Sequence, residues 1–134
     1  MFEHVGESRL PEYFQRAWKL LRPGGAFLNH GIAKMLTGSP IRGPSFSEGF
    51  EVRDVESLRE HYALTLRQWI RRLEAHHEEA RRATDETTYR VWRLFMSASA
   101  YQFSSNETNV YQSLLVKADG GKSGLPLTRG DWYG

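Results

Sequence analysis

The chain predicts an α/β fold, and three observations predict it. Residues 8–21 place Leu10, Tyr13, Phe14, Ala17, Trp18 and Leu21 at helical spacing along one face. The turn Arg22-Pro23-Gly24-Gly25 stops that helix, and Ala26-Phe27-Leu28-Asn29-His30-Gly31-Ile32-Ala33 follows, short and apolar as a buried strand should be. Farther on, two long helical patterns lead into Asn109–Ala118, a stretch rich in strand formers. Helix, Pro-Gly-Gly turn and apolar strand together form an αβ unit of a parallel sheet.

Each element has a local cause. Ser8 is expected to cap the first helix, and Pro11 falls in its first turn, where a missing N–H costs little. Gly24 and Gly25 belong to the helix-to-strand turn, because a phosphate-binding loop follows a strand and opens a helix. Residues 34–48, rich in Gly, Ser and Pro, read as a loop. Phe50-Glu51-Val52-Arg53 alternates like a short strand. Asp54 is expected to cap a helix over residues 55–81, with Val55, Leu58, Tyr62, Leu66, Trp69 and Leu73 on one stripe. The next helix, residues 86–103, carries Val91, Trp92, Leu94, Phe95, Ala98 and Tyr101, an apolar arc wide enough to imply burial on more than one side. Residues 1–118 form the folded part, and residues 119–134 are expected to be a flexible tail. Within that tail Gly120-Gly121-Lys122-Ser123 mimics the end of a P-loop, but lacks the preceding glycine and a following helix.

Composition narrows the function. With 134 residues, 40% hydrophobic and 25% charged, the chain has the make-up of one globular domain. A net charge of +2, with arginines on polar helix sides, argues against a nucleic-acid partner and suits weak attraction to anionic lipid. The absence of cysteine removes disulfides and thiol nucleophiles. Glu3, His4 and Glu7 break any signal-peptide pattern, and no stretch approaches a membrane span, so a cytoplasmic protein with peripheral membrane attachment is expected.

The ionisable candidates are few. His76-His77 beside Glu78-Glu79 cannot chelate one ion, since adjacent helical residues diverge, and no metal site is expected there. His4, between Phe2 and Val5, suits packing. His30 interrupts an apolar strand and needs a partner, and structural and functional readings of it are evenly matched. Tyr62 lies on an apolar stripe like a core tyrosine, and Glu3 alone says nothing.

Three stretches carry a resemblance: Met1-Phe2-Glu3-His4-Val5-Gly6, then Leu28-Asn29-His30-Gly31-Ile32, then His61-Tyr62-Ala63-Leu64-Thr65-Leu66-Arg67-Gln68-Trp69. In this order the chain resembles the cyclopropane-fatty-acyl-phospholipid synthase and mycolic acid cyclopropane synthase family of S-adenosyl-L-methionine (SAM) dependent methyltransferases. Leu21-Arg22-Pro23-Gly24-Gly25, Phe50–Tyr62 and Pro126–Tyr133 extend it. The resemblance implies the carboxy-terminal half of a class I (Rossmann-like) methyltransferase sheet with long helices. It implies methyl transfer to double bonds of unsaturated acyl chains in membrane phospholipids, giving cyclopropane fatty acids. It also implies a bicarbonate held by the Glu3 carboxylate, the His30 imidazole, the Ile32 backbone N–H and the Tyr62 hydroxyl. An isolated alkene is a weak nucleophile, and its methylation leaves a carbocation. A small anion would serve as base and stabilise that charge, while apolar walls keep water from trapping it.

The glycine-rich SAM turn and the ribose-binding acid of the family would precede Met1, and a segment is expected to be missing near Ser39–Glu48. The alternatives are a truncated, inert fragment that forms a homo-oligomer through an open sheet edge, or a related methyltransferase acting on another small acceptor.

Overall fold

The structure, a computed structural model, describes residues 4–34 and 49–132. A 3-10 turn at Glu7–Arg9 leads into α1 (Leu10–Leu20), β1 (Ala26–Lys34), β2 (Glu51–Ser57), α2 (Arg59–Ala75), α3 (His77–Ala83), α4 (Glu86–Ser104) and β3 (Thr108–Val116), with a final 3-10 turn at Gly130–Trp132. Among the described residues the strands form one sheet in the order β1-β3-β2. The chain forms two compact units. The first holds α1, β1 to Gly31, β2 to Glu56 and the chain from Gln112 onward; the second holds the rest of β1 and Ser57–Tyr111.

In the first unit, α1 buries Phe14 against Phe50 and Leu115, with Tyr13, Ala17, Trp18, Leu21 and Phe27 packed around them. Trp18 meets Phe50 edge-on at 5.1 Å, a favoured aromatic geometry. The helix ends where its carbonyls find a cation: Lys117 Nζ donates to Trp18 O at 3.0 Å and Leu21 O at 2.9 Å. The turn that follows needs both glycines. Gly24 has φ +73°, and a Cβ on Gly25 would lie 2.8 Å from the Arg22 carbonyl oxygen. Ser8 does not cap α1: it lies in the 3-10 turn, and Arg9 takes the cap position without a side-chain bond.

β1 was expected in a parallel sheet, but its neighbour β3 runs antiparallel. Lys117, just after β3, bonds Gly24 and Gly25 before β1, while Gln112 lies beside His30 farther along it. Rising numbers on β1 thus meet falling numbers on β3.

In the second unit Ala63, Leu66, Ala100, Phe103 and Val110 form the core, bordered by Leu58, Tyr62, Ile70 and Met96. Asp54 does not cap a helix. Leu58 N–H still bonds Val110 O in strand fashion, so α2 starts only at Arg59. The Asp54 carboxylate instead takes a two-pronged bond from Arg129 within the first unit. Residues 119–134 thus carry a tie to β2, along with a bridge between Asp119 and Lys122. The long helix also breaks at His76, where His77 leaves the α2 line to stack on Tyr89 at 4.3 Å and meet Glu86 at 3.2 Å. Nor is α4 buried on two sides: it packs on α2 through Ala100 and Phe103, and Val91, Leu94, Phe95 and Tyr101 stay exposed.

Asp85 opens α4, accepting a bond from Thr88 N at 2.8 Å, and this bond holds its carboxyl below the usual range. A lowered folded pKa gives stability that is present above the unfolded value and lost as pH falls through the folded one. Asp85→Ala should lower the thermal midpoint by a few degrees at neutral pH. As pH falls through the lowered Asp85 value, the wild type should lose stability relative to Asp85→Asn, whose amide caps without titrating. A pH-independent gap between the two would discount the cap.

Candidate active site

His30 is the fifth residue of β1. Strand alternation sets Leu28, His30 and Ile32 on one face and Phe27, Asn29, Gly31 and Ala33 on the other. The first face is exposed, with Leu28 at 57% and Ile32 at 42%, whereas Asn29 and Gly31 are buried. Buried Asn29 accepts from the Tyr13 hydroxyl at 3.3 Å, and burial pushes that hydroxyl above its ordinary pKa. His30 therefore lies mid-strand on an open face, its side chain turned away from the aromatic core.

Its orientation is set by Gln112 of β3, whose Nε2 lies 3.2 Å from His30 Nδ1. This contact ties the His30 ring to β3 and fixes how the imidazole is turned on the face that it shares with Ile32. Gln112 was not singled out in the sequence; its signal was a polar residue in the apolar run Val110–Val116.

Tyr62 lies in the first turn of α2, half-buried, its ring 5.4 Å from Phe103. This contact meets the core expectation for the ring. The strand brings His30 and Ile32 together; Tyr62 belongs to the second unit, and Glu3 lies outside the described residues. Also in the second unit, buried Asn109 accepts from Ser57 Oγ at 2.9 Å and Val110 N at 2.7 Å and donates to the Tyr111 hydroxyl at 3.0 Å. That network satisfies the start of β3.

Another concentration of charge lies in a cleft lined by Glu74, His77, Glu86, Tyr89, Arg90 and Arg93. Arg93 meets Glu74 at 2.6 Å, and Glu86 meets Arg90 at 2.7 Å and His77 at 3.2 Å. Arg90, and then His77, hold the Glu86 carboxyl below its usual range. These groups answer one another and tie α3 and α2 to α4. Among the described residues no group of three His, Cys, Asp or Glu side chains is placed to hold a metal.

A family model described as mycolic acid cyclopropane synthetase matches residues 37–113. The chain belongs to that family. A probable fatty acid methyltransferase of Pseudomonas putida is 41% identical over 160 residues, covering 99% of this chain and 40% of the relative. Because that alignment is longer than the chain itself, the relative carries residues within the matched region that this chain lacks. The solved structure of the cyclopropane synthase MmaA2 from Mycobacterium tuberculosis is 26% identical with a TM-score of 0.77, over 85% of this chain and 52% of that one. The mycolic acid cyclopropane synthase CmaA1, solved with SAH and CTAB, matches at 24% identity and a TM-score of 0.75, again over 85% and 52%, which speaks for the fold alone. The chain thus spans about half the length of these cyclopropane synthases, and less of the Pseudomonas relative.

Cyclopropane synthases of this family are SAM-dependent methyltransferases acting on lipids. The described residues do not fit a SAM cradle. β2 runs into α2 through Leu58 with no glycine between, and the Gly120-Gly121 turn that follows β3 leads to no α-helix among the described residues. Neither offers the glycine turn and helix N-terminus that a nucleoside-bearing cofactor uses. Residues 1–134 alone should therefore bind SAM with a Kd weaker than about 1 mM, a contact worth less than about 4 kcal/mol. Calorimetric titration measures this, and micromolar binding would contradict it.

Proposed function

We propose that the chain supplies the acceptor side of a cyclopropane-forming methyltransferase. Its substrate is the double bond of unsaturated acyl chains in phospholipids, and Glu3, His30, the Ile32 N–H and Tyr62 hold a bicarbonate beside it. The observation that carries the reading is the His30 arrangement: Gln112 of β3 orients the imidazole on the exposed face of β1, which it shares with Ile32. An N–H donor fits an anion, and imidazole, hydroxyl and backbone N–H form a donor set suited to an oxyanion. A bound bicarbonate supplies a base and a negative charge next to the reacting carbons. His30 fixes its position, Tyr62 adds a donor from a half-buried ring, and Leu28 and Ile32 give an apolar surface beside it for the acyl chain.

The test joins this chain to the part of the Pseudomonas relative that it does not match. The fusion is expressed in cells rich in monounsaturated phospholipid, whose acyl chains are then analysed by mass spectrometry. Acyl chains gaining one carbon and two hydrogens, with loss of the double bond, are expected. Methylation confined to a small amine would overturn the acceptor assignment.

One observation favours a second reading, an inert self-associating fragment: among the described residues the order β1-β3-β2 leaves β1 at a sheet edge. Sedimentation of the isolated chain at micromolar concentration should accordingly give a dimer. A monomer at that concentration would remove edge pairing from consideration.

A further inference from the structure

We propose that the outer face of α4 docks on an anionic lipid surface. The inference rests on the reading that the acceptor is an acyl chain held in phospholipid, and it adds where the protein meets that phospholipid. The observation is an apolar stripe with no partner among the described residues. Val91 is 59% exposed, Leu94 72%, Phe95 60% and Tyr101 67%, and Trp92 at 55% flanks them. These positions recur at three- and four-residue spacing, opposite the Ala100 and Phe103 side that packs on α2. From Leu94 to Ser104 the helix carries no charged residue.

Charge frames the stripe on its α2 side. Leu94 shares a cleft with Arg90 and Arg93, whose charges Glu86 and Glu74 neutralise. Arg67 reaches Ser104 Oγ at 3.1 Å, one turn beyond Tyr101, and Arg71 lies one turn along α2 from Arg67. Neither Arg67 nor Arg71 pairs with a carboxylate among the described residues. An apolar stripe edged by Trp, Tyr and unmatched arginines is the pattern of a helix lying in a membrane interface. There the rings enter the acyl boundary, and the long basic stems reach anionic headgroups.

Charge argues against a second copy as the occupant, because the same face of another copy would bring further arginines and no anion to Arg67 and Arg71. A lipid surface needs no complementary shape, and a patch of this size with flanking cations suffices for reversible binding.

The test is sedimentation of the whole chain with phosphatidylcholine vesicles, with and without phosphatidylglycerol. Binding should require the anionic lipid. Leu94→Gln with Phe95→Gln, both exposed and both replaced by a helix-forming residue, should weaken binding at least about tenfold with unchanged circular dichroism. Arg67→Gln with Arg71→Gln should weaken it about tenfold and remove most of its salt dependence. Failure of the wild type to bind anionic vesicles, or undiminished binding by the Leu94/Phe95 variant, overturns the proposal. So does a dimer that this variant dissociates, since the face would then belong to a second copy. Vesicle binding needs no turnover: a fusion that modifies acyl chains without this face would leave the function standing and the surface refuted. The converse result would do the opposite.

Discussion

In a methyltransferase completed to the length of its relatives, His30→Ala should lower kcat by about 10²–10³-fold, the usual loss when one preorganised donor at a reacting centre is removed. Tyr62→Phe and Glu3→Gln should fall in the same direction, with SAM affinity nearly unchanged in all three. A loss in kcat and kcat/KM together, without a rise in KM, marks groups that act on the transition state. Gln112→Leu tests the orientation argument separately. It leaves His30 in place but removes the side chain that orients the ring, so a milder loss, about tenfold, is expected. Wild-type turnover in His30→Ala would remove His30 from the site. Wild-type turnover in Gln112→Leu would mean that Gln112 does not orient His30.

How far this could be read from the sequence depended on whether the cause was local. The α1 stripe, the Pro23-Gly24-Gly25 stop and the apolar β1 run each carry their reason within a few residues, and all three elements formed. Asp54 was misread because a carboxylate ahead of a helical pattern is a good cap by local rules. What overrides it is distant: Arg129, seventy-five positions away, takes the carboxylate, and Val110 extends the strand through Leu58. The α4 face was misread for the opposite reason. A wide apolar arc reports that something covers it, yet a helical pattern does not say what, and among the described residues α2 covers one side of it. His30 was legible as a polar interruption, but its partner was not, because Gln112 lies eighty-two positions away and reaches it only through β-pairing. The antiparallel pairing of β1 and β3 was hidden likewise, since strand direction depends on the connection and not on the strand.

Phe14→Ala should destabilise the first unit by about 3–5 kcal/mol, the usual cost of truncating a buried phenylalanine. Phe14 is 1% exposed and anchors α1 against Phe50 and Leu115, so the void would open at the centre of that cluster. Folded domains hold only about 5–15 kcal/mol in total, so the loss is a large part of what keeps α1 on the sheet. Trp18 reports it directly: its edge contact with Phe50 and the Lys117 cation over its ring both depend on α1 staying docked. Denaturant titration followed by tryptophan emission should show the midpoint falling sharply. Leu20→Ala, on the same helix but 88% exposed, should change stability by no more than about 0.5 kcal/mol. The comparison separates burial from helix propensity, since alanine is the better helix former at both positions. Equal, small effects at Phe14 and Leu20 would mean that α1 is held by its Lys117 cap and the Gly24–Gly25 turn, with the aromatic cluster contributing little.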